Sequence, residues 1–552
     1  MRSLAATVLG IVLLTPFAHA SDFTPLHDAY LAKLKPLSLE AATAWWNANI
    51  SGADADFDRK KAADKAIVAL NSDKELFAKI KDMHASGKIT DPTEKRLLDV
   101  MYRTLLAAQA DRALQDKIVD LENEVEQIFS THRSNVNGKE LSENDVREVL
   151  SKSTSSTECE AAWKGYMAVG AKADGKLKEL VKLRNQLATQ LGFKSFYQMQ
   201  LSLQEIDETE LLKLLDDLEQ QMHPVFAATK GEIDSARGAR FKVKAEELRP
   251  WHFGDLFFQE APLDEKVNLD DLYAKADLQE LCRAYYASMG LPCDDILARS
   301  DLYEKKGKNP HAFCSDLNRA GDIRVLCNLK PNLYWTDTLI HEAGHGVYAK
   351  YIAADVPFLL HEESHALTTE GIAQMFGAAI GHEEWLSQAL KLNKDEVAKT
   401  AATARQSLRT HWLLFAEWTQ VMVHFEQGMY SQPEQDLGKL WWDLKKRYQM
   451  LNPPETTNRP DYAAKVHVLS TPAYYHSYLL GELFAAQVRN YANTKVLGLP
   501  KWDSSCWVNQ PKAGAYFKEK IFAPGNRMSW KELTQFATGE PLNPKYFVSQ
   551  VK

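Results

Sequence analysis

Residues 341–370 read HEAGHGVYAKYIAADVPFLLHEESHALTTE, and the pattern His-Glu-x-x-His occurs in them twice. The first copy is residues 341–345 and the second is residues 361–365. On a helix, this spacing puts two imidazoles on one face with a carboxylate beside them, an arrangement typical of zinc sites. Two copies twenty residues apart cannot both be the primary site of one catalytic domain. One copy must therefore have another role.

The first copy fits a zinc-binding helix. Residues 336–352 have the apolar periodicity of an amphipathic helix, and the two central motif residues are small and uncharged, as expected at a close helix contact. We predict that His341 and His345 are zinc ligands. Glu342 is expected to take the proton from the zinc-bound water, whose pKa zinc lowers to about 7.

The third ligand is expected on the next helix. Pro357 ends the helical pattern, and a second helix is predicted to begin near Thr368. This places Glu370 25 residues after His345, the usual position of the third ligand in zinc peptidases that use a glutamate. The predicted metal set is therefore His341, His345 and Glu370, with one zinc ion per chain.

The second copy fits a zinc-binding helix poorly. Its central pair is Glu-Ser, so a charge stands where a motif helix normally packs, and it follows Pro357 closely in the link between the two helices. Glu383 and Glu384 follow His365 by 18 and 19 residues, so distance alone does not exclude them as ligands. We interpret the second copy as the start of the helix that carries Glu370.

The N-terminal segment predicts export. Arg2 supplies a positive charge, residues 4–14 are apolar, and residues 18–20 read Ala-His-Ala, a pattern of small residues at a cleavage site. These features indicate a secretory signal peptide over residues 1–20, cut after Ala20, rather than a membrane anchor. The apolar run is too short for a hydrocarbon core of about 30 Å. The mature protein is expected to be soluble and secreted or periplasmic, in a compartment that permits disulfides.

The composition favours one large helical unit. Gly and Pro are sparse, at 26 and 21 residues, and residues 97–129 repeat apolar side chains at three- and four-residue spacing. The segment 308–335 is short, rich in β-formers and punctuated by Asn and Pro, so a small strand or hairpin is predicted there. No linker or repeat divides residues 21–552, which are expected to form a single catalytic domain with two helical subdomains. A net charge of -8 argues against a nucleic-acid-binding protein.

The six cysteines leave their pairing open. No Cys-x-x-Cys occurs, so a thiolate zinc site is not expected. Cys282 with Cys293, or Cys314 with Cys327, could close a short loop in an exported chain. Free buried thiols are the alternative for each pair.

Blocks along almost the whole chain resemble the angiotensin-converting-enzyme family of zinc peptidyl-dipeptidases. Besides HEAGH, these blocks are WWNANI, AAWKGYMAVG, LWWDLKKRYQ, AKVHVLSTPAYYHSY, KAGAYFKEK and TGEPL. HEAGH alone is shared by many zinc peptidases, whereas these blocks in this order are much more specific. The resemblance implies a mostly α, two-lobed helical fold with a small β-sheet beside the active-site helix and a deep central channel. It also implies release of dipeptides from the free C-terminus of oligopeptides.

The resemblance implies several substrate-binding residues. The family has a His-Ala pair thirty residues before the first zinc histidine, which corresponds to His311 and Ala312 on an edge strand that holds the peptide backbone. The family's Lys-x-His resembles Lys465 and His467, the first for the terminal carboxylate and the second for the oxyanion region. Gln259 matches a further residue that binds this carboxylate.

The family's Tyr-x-x-Tyr motif can be aligned in two registers. With one residue inserted after His467, Tyr475 would bind the terminal carboxylate and Tyr478 would stabilise the tetrahedral oxyanion. Without the insertion, Tyr474 and Ser477 would stand in these places instead. We prefer the gapped register and interpret Tyr474 as a residue of the aromatic core.

Three departures from the family pattern matter. Ser477 and Lys445 stand where the family has chloride-binding arginines, which argues against strong chloride activation and leaves chloride an open cofactor. Gln374 replaces an aspartate that supports a zinc histidine. A family disulfide in the region before the motif favours pairing of Cys314 with Cys327, although the cysteine positions are shifted.

Two alternatives stay open. The first is a related helical zinc oligopeptidase or carboxypeptidase, since HE-x-GH and the run YHSYLLGELFA are also reminiscent of those enzymes. The second is a non-catalytic peptide-binding protein of the same fold, which the intact Glu342 and ligand set disfavour. The expected partners are oligopeptides with a free C-terminus, with no nucleic acid and no membrane anchor.

Overall fold

The computed structural model describes residues 22–262 and 269–552, so the expected signal peptide lies outside the described residues. Within these ranges the chain is mostly α, as predicted. The helices are α1 (Phe23–Ser51), α2 (Asp54–Asn71), α3 (Lys74–Ser86), α4 (Pro92–Ala107), α5 (Arg112–Thr131), α6 (Glu143–Lys152), α7 (Ser156–Gln190), α8 (Phe196–Leu203), α9 (Glu208–Phe241), α10 (Asp270–Tyr273), α11 (Leu278–Ser288), α12 (Asp294–Arg299), α13 (Leu333–Lys350), α14 (Ala366–Gly377), α15 (Lys394–Ser431), α16 (Leu437–Gln449), α17 (Val466–Ser470), α18 (His476–Tyr491), α19 (Pro511–Phe517), α20 (Trp530–Thr538) and α21 (Lys545–Val551).

Two small antiparallel hairpins complete the described structure. They are formed by strands β1 (Ser134–Val136) with β2 (Lys139–Leu141), and β3 (Phe313–Asp316) with β4 (Ile323–Leu326). The second hairpin lies within the segment where the sequence predicted one, and it packs against α13. In the described residues, β3 hydrogen-bonds to β4 alone, so its other edge is free of a partner strand.

The two helices that carry the first motif and Glu370 begin close to their predicted positions. Asn332 caps α13 by accepting a hydrogen bond from a backbone N–H of the first turn. The next helix, α14, begins at Ala366, two residues before Thr368, and His365 is its N-cap. The second copy of the motif therefore ends at a helix start instead of lying within a helix.

Close helix crossings hold α14 between α13 and α18. A Cβ added at Gly344 of α13 would lie 3.0 Å from the Cα of Ala373 in α14. A Cβ added at Gly371 of α14 would lie 2.5 Å from the carbonyl oxygen of Gly481 in α18. Glycine at these positions lets the three backbones approach one another, and this brings side chains from three separate sequence regions to one site.

The expected disulfide between Cys314 and Cys327 is absent. All six cysteines lie within the described residues and are free thiols. The strand register pairs Cys314 with Val325, so Cys327 lies two residues further along the partner chain instead of directly opposite. The sulfur atoms of Cys282 and Cys293 are 4.0 Å apart, twice the length of a disulfide bond, which is about 2 Å.

The hydrophobic core is continuous along the described chain. Buried apolar residues from Phe23 in α1 to Val551 in α21 belong to one cluster of contacting side chains. A small second cluster lies under the β3–β4 hairpin and contains Trp46, Leu317 and Leu326. Among the described helices, none has the length and apolar character needed to cross a bilayer.

Candidate active site

The three predicted metal ligands converge at the crossing of α13 and α14. Potential ligand atoms of His341, His345 and Glu370 all lie within 4.8 Å of one another. The two Nε2 atoms are 3.2 Å apart, and Oε2 of Glu370 is 3.5 Å and 3.7 Å from them. Two imidazoles and one carboxylate are the donor set of a catalytic zinc site with an open position.

The environment of Glu370 fits a bound cation. Its Oε2 is buried without a hydrogen-bond partner among the described residues and faces the two histidine rings. A buried carboxylate oxygen without a partner is costly, and a cation at this point would compensate it. The side chains of His341 and His345 remain 23% and 15% exposed, so the cluster is open to solvent on one side.

The titrating groups of the first motif differ in their response to burial. Burial raises the pKa of Glu342 to about 7, although the nearby His341 opposes this rise. Burial lowers the pKa of His345 to about 4. For His341, burial also lowers the pKa, but the nearby carboxylates of Glu370, Glu342 and Asp337 outweigh it and raise the pKa to about 9. A cation bound near Nε2 of His341 would take the place of the proton that the ring holds at this raised pKa.

The side chains that hydrogen-bond to the potential metal ligands are not the one expected from the sequence, Gln374. Nδ1 of His345 is 2.6 Å from the hydroxyl of Thr369. Oε1 of Glu370 accepts a hydrogen bond of 2.7 Å from the hydroxyl of Tyr474. Gln374 stands at the expected supporting position, but its amide oxygen is buried and has no hydrogen-bond partner in the described part of the chain. The carboxylate whose charge acts on His341 from one turn earlier is Asp337.

The residues predicted to bind a terminal carboxylate meet at one point. The ammonium of Lys465 donates a 2.9 Å hydrogen bond to Oε1 of Gln259, and the hydroxyl of Tyr475 lies 3.3 Å from the same atom. Trp418 donates a 2.6 Å hydrogen bond to the Tyr475 hydroxyl and fixes its position. Lys465 is only 6% exposed, and burial lowers its pKa to about 8.

Tyr478 lies beside His467. It stands between the site formed by Lys465, Gln259 and Tyr475, called the carboxylate pocket below, and the metal cluster. Its hydroxyl is 3.0 Å from Nε2 of His467, whose pKa burial holds well below the usual range, so the ring is neutral. The ring of Tyr478 contacts the rings of Tyr475 and Tyr474 at centroid distances of 5.0 Å and 5.4 Å. Ser477 is fully buried, and its hydroxyl has no hydrogen-bond partner.

His311 and Ala312 directly precede the free edge strand β3. The backbone N–H of His311 donates to the side chain of Asn309, which fixes the entry to the strand. Nε2 of His311 is 3.9 Å from a carboxylate oxygen of Glu143, and burial lowers the pKa of the ring. These contacts hold His311 at the start of β3, whose other edge has no partner strand in the described residues.

Comparison with known proteins finds two families of peptidases. A family model described as angiotensin-converting enzyme matches residues 18–233, and a model described as peptidase family M3 matches residues 297–552. The angiotensin-converting enzyme of Theromyzon tessulatum is 21% identical over 556 residues, covering 93% of this chain and 88% of the relative.

Two family models of peptidases together match most of the chain, which is a zinc metallopeptidase similar to the angiotensin-converting enzymes. The enzyme from Bos taurus is 22% identical over 434 residues, covering 70% of this chain and 32% of the relative, and that from Rattus norvegicus is 22% identical over 437 residues, covering 72% and 32%. The chain thus spans about a third of the length of these two relatives. The described structure of this zinc metallopeptidase is the helical fold expected from the resemblance.

In the described residues, the second copy of the motif does not form part of a group of potential metal ligands. Nδ1 of His365 accepts a 2.9 Å hydrogen bond from the N–H of Leu367 and so caps α14. Glu362 forms a 2.8 Å ion pair with Arg319. Neither His361 nor His365 joins a cluster of three potential ligands anywhere in the described ranges.

A second cluster of potential metal ligands was not anticipated from the sequence. His382, Glu384 and Cys506 have donor atoms within 4.8 Å of one another. However, Nε2 of His382 lies 2.8 Å from the carbonyl oxygen of Asp503, and its Nδ1 accepts from the N–H of Glu384. One carboxylate oxygen of Glu384 accepts from Ser505 and from the N–H of Cys506. These bonds tie the loop 503–506 to the helical region, so the cluster has a structural role.

Lys445, at one expected chloride position, bonds to the backbone near the carboxylate pocket. Its ammonium donates a 2.9 Å hydrogen bond to the carbonyl of Phe257, and Gln449 donates one of 2.6 Å to the carbonyl of Phe258. Both bonds fix the segment that leads into Gln259. The lysine thus connects α16 directly to the pocket.

Proposed function

We propose that this zinc peptidase is a peptidyl-dipeptidase that releases dipeptides from the free C-terminus of oligopeptides. The observation that supports this most strongly is the meeting of Lys465, Gln259 and Tyr475 at one buried point. A fixed ammonium facing a free carboxylate favours substrates that end nearby, because an internal peptide segment offers no charge to pair.

Three neighbouring tyrosines connect this pocket to the metal cluster. The ring of Tyr475 contacts Tyr478, and Tyr478 contacts Tyr474, which bonds to Glu370. Two extended residues span at most about 7 Å. A terminal carboxylate at Lys465 would then leave the second peptide bond from the C-terminus near the cluster.

His341, His345 and Glu370 would hold zinc, which lowers the pKa of water and polarises a carbonyl when bound. Glu342 would act as the general base and then as the general acid. It would take a proton from the attacking water and deliver it to the leaving amine.

The remaining residues would bind and orient the peptide. Tyr478 would donate a hydrogen bond to the oxyanion, and such donors typically contribute about 10²–10³ in kcat. His467, held neutral by burial, would position the Tyr478 hydroxyl and contact the substrate backbone. His311 and Ala312 would align the peptide along the free edge of β3, since an unpaired strand edge can accept an added strand.

The wider organisation is part of the same proposal. The continuous core over the described residues supports one catalytic domain from residue 21 to residue 552, with two helical lobes around a channel. We also propose that the enzyme is exported, with residues 1–20 as its signal peptide, and that it acts without strong chloride activation. The support for the last point is that Ser477 and Lys445 stand where the family has chloride-binding arginines.

Paired peptides test the proposed activity. One N-terminally blocked peptide would be offered as the free acid and as the C-terminal amide, and the products would be identified by mass spectrometry. We expect stepwise dipeptide release from the acid and at least tenfold slower release from the amide, with Glu342→Gln as the inactive control. Cleavage of both peptides at the same internal bond would contradict the proposal.

A second candidate is a helical zinc oligopeptidase that cuts internal bonds. The observation in its favour is the match of peptidase family M3 to residues 297–552, which contain the metal cluster and most of the predicted substrate-binding residues. The same pair of peptides separates the two candidates, because an oligopeptidase should cleave the acid and the amide at similar rates.

A further inference from the structure

We propose that Tyr474 is a positioning residue that orients Glu370 for zinc. Its hydroxyl occupies one carboxylate oxygen, so that the other is presented to the metal as a single ligand atom. This inference rests on the metal set of the proposed function. It assigns a role to a tyrosine that lies next to the Tyr-x-x-Tyr motif but is not part of it in the preferred register.

The two oxygens of Glu370 have different surroundings. Oε1 accepts the 2.7 Å hydrogen bond from Tyr474. Oε2 is buried without a hydrogen-bond partner and lies 3.5 Å and 3.7 Å from the Nε2 atoms of His341 and His345. The hydroxyl therefore fixes the rotation of the carboxylate and directs Oε2 toward the two imidazoles. Partners of this kind typically change metal affinity by about 10–100-fold when they are removed.

The backbone before α18 directs Tyr474 toward the metal cluster. Ala473 has a φ of 54°, in the left-handed region that residues with a Cβ rarely adopt. Gln204 donates a 3.0 Å hydrogen bond to the Ala473 carbonyl, and the N–H of Ser477 donates one of 2.8 Å to the Tyr474 carbonyl. Contacts on both sides thus hold the turn in a strained conformation, which is common where side-chain direction matters for function.

The three tyrosines of this segment have separate partners. Tyr475 bonds to Trp418 and Gln259 in the carboxylate pocket, and Tyr478 lies beside His467. Tyr474 bonds to Glu370. Because its hydrogen is donated to a ligand, its role is distinct from the substrate-binding roles of its two neighbours.

The substitution Tyr474→Phe tests this role because it removes the hydroxyl and keeps the ring. The dissociation constant for zinc would be measured by competition with a chelator of known affinity, and kcat and KM would be measured at saturating zinc. We expect zinc binding to weaken about 10–100-fold. The KM for a free-acid peptide should change less than about twofold. Tyr475→Phe is the matched control, with unchanged zinc affinity and a raised KM.

An unchanged zinc affinity in Tyr474→Phe, with its unfolding temperature equal to that of the wild type, would overturn the inference. So would a raised KM at unchanged zinc affinity, which would assign Tyr474 to the substrate. Failure of the proposed function can be told apart from failure of this inference. In that case the wild-type enzyme itself would not release dipeptides, whatever the zinc affinity of Tyr474→Phe. Retention of zinc by Glu370→Ala would instead show that the ligand set is wrong.

Discussion

The two copies of His-Glu-x-x-His have the same motif residues but different backbones. Residues 341–345 lie in the middle of α13, where helical spacing puts both histidines on the face that meets α14. Residues 361–365 lie in the link before α14 and end at its N-cap. The first copy supplies potential ligands, and the second copy starts the helix that carries Glu370. Backbone context, more than the motif letters, decides which copy can bind metal.

The largest expected difference between the copies is at their glutamates. Glu342→Gln should lower kcat by about 10²–10⁴, because a positioned general base contributes this much, and zinc should be retained. Glu362→Gln is the matched change in the second copy. It removes a partly exposed ion pair with Arg319, which is worth at most about 1 kcal/mol, and kcat should change less than twofold. Steady-state kinetics and zinc content would check both variants, and equal losses of activity would contradict the distinction.

The proposed carboxylate pocket of Lys465, Gln259 and Tyr475 sharpens the comparison, because it would place substrate recognition near the first copy. Burial lowers the pKa of Lys465 to about 8, so the free enzyme carries the charged ammonium below pH 8 and loses it above. We expect kcat/KM for a free-acid peptide to fall about tenfold per pH unit above pH 8.

Lys465→Met should lower kcat/KM by about 10–100-fold, the range of a hydrogen bond to a charged group, and should remove this alkaline decline. A pH profile of kcat/KM for the wild type and the variant, each with acid and amide substrates, measures both effects. An alkaline decline that persists in Lys465→Met would assign it to another group.

A substitution at the crossing of α14 and α18, beside Glu370, should have a smaller effect. Gly371→Ala would put a Cβ 2.5 Å from the Gly481 carbonyl, so we expect a loss of about 1–3 kcal/mol in the free energy of unfolding, and weaker zinc binding as Glu370 shifts. Gly381→Ala is the control, since its nearest neighbour would be 3.6 Å away. Denaturant unfolding of both variants checks this prediction. Equal free energies of unfolding would show that the two helices can move apart at this crossing without cost.

The smallest expected effect is at the last histidine of the second copy. His365→Ala removes the cap of α14 and should cost about 1 kcal/mol of stability, whereas His365→Asn should restore most of it because asparagine is a good N-cap. Zinc affinity should be nearly unchanged in both. Denaturant unfolding and zinc titration give the two readouts, and a large loss of zinc in His365→Asn would contradict the capping role.

The sequence predicted the features that depend on local pattern. The spacing and periodicity around His341 predicted a motif helix, and Pro357 with the TTEG segment predicted the helix that brings Glu370 near it. The small hairpin followed from the run of β-formers. The pocket residues Lys465 and Gln259, 206 residues apart, could be proposed through the family resemblance alone, because no local pattern brings them together.

Other features depended on geometry that the sequence does not encode locally. The role of Tyr474 depends on the left-handed turn at Ala473, and the only signal in the sequence was an extra aromatic residue beside the motif. The expected disulfide between Cys314 and Cys327 is absent because the hairpin register places Cys314 opposite Val325 instead of Cys327. Asp337 precedes His341 by one helical turn, so its nearness to the zinc site could have been recognised from the sequence.

The most direct test of the central claim is the zinc content of two double variants. In His341→Ala/His345→Ala the first copy loses both imidazoles, and in His361→Ala/His365→Ala the second copy does. After dialysis against a weak chelator, elemental analysis should find no bound zinc in the first variant and the wild-type amount in the second. Zinc retained by the first variant and lost by the second would contradict the account.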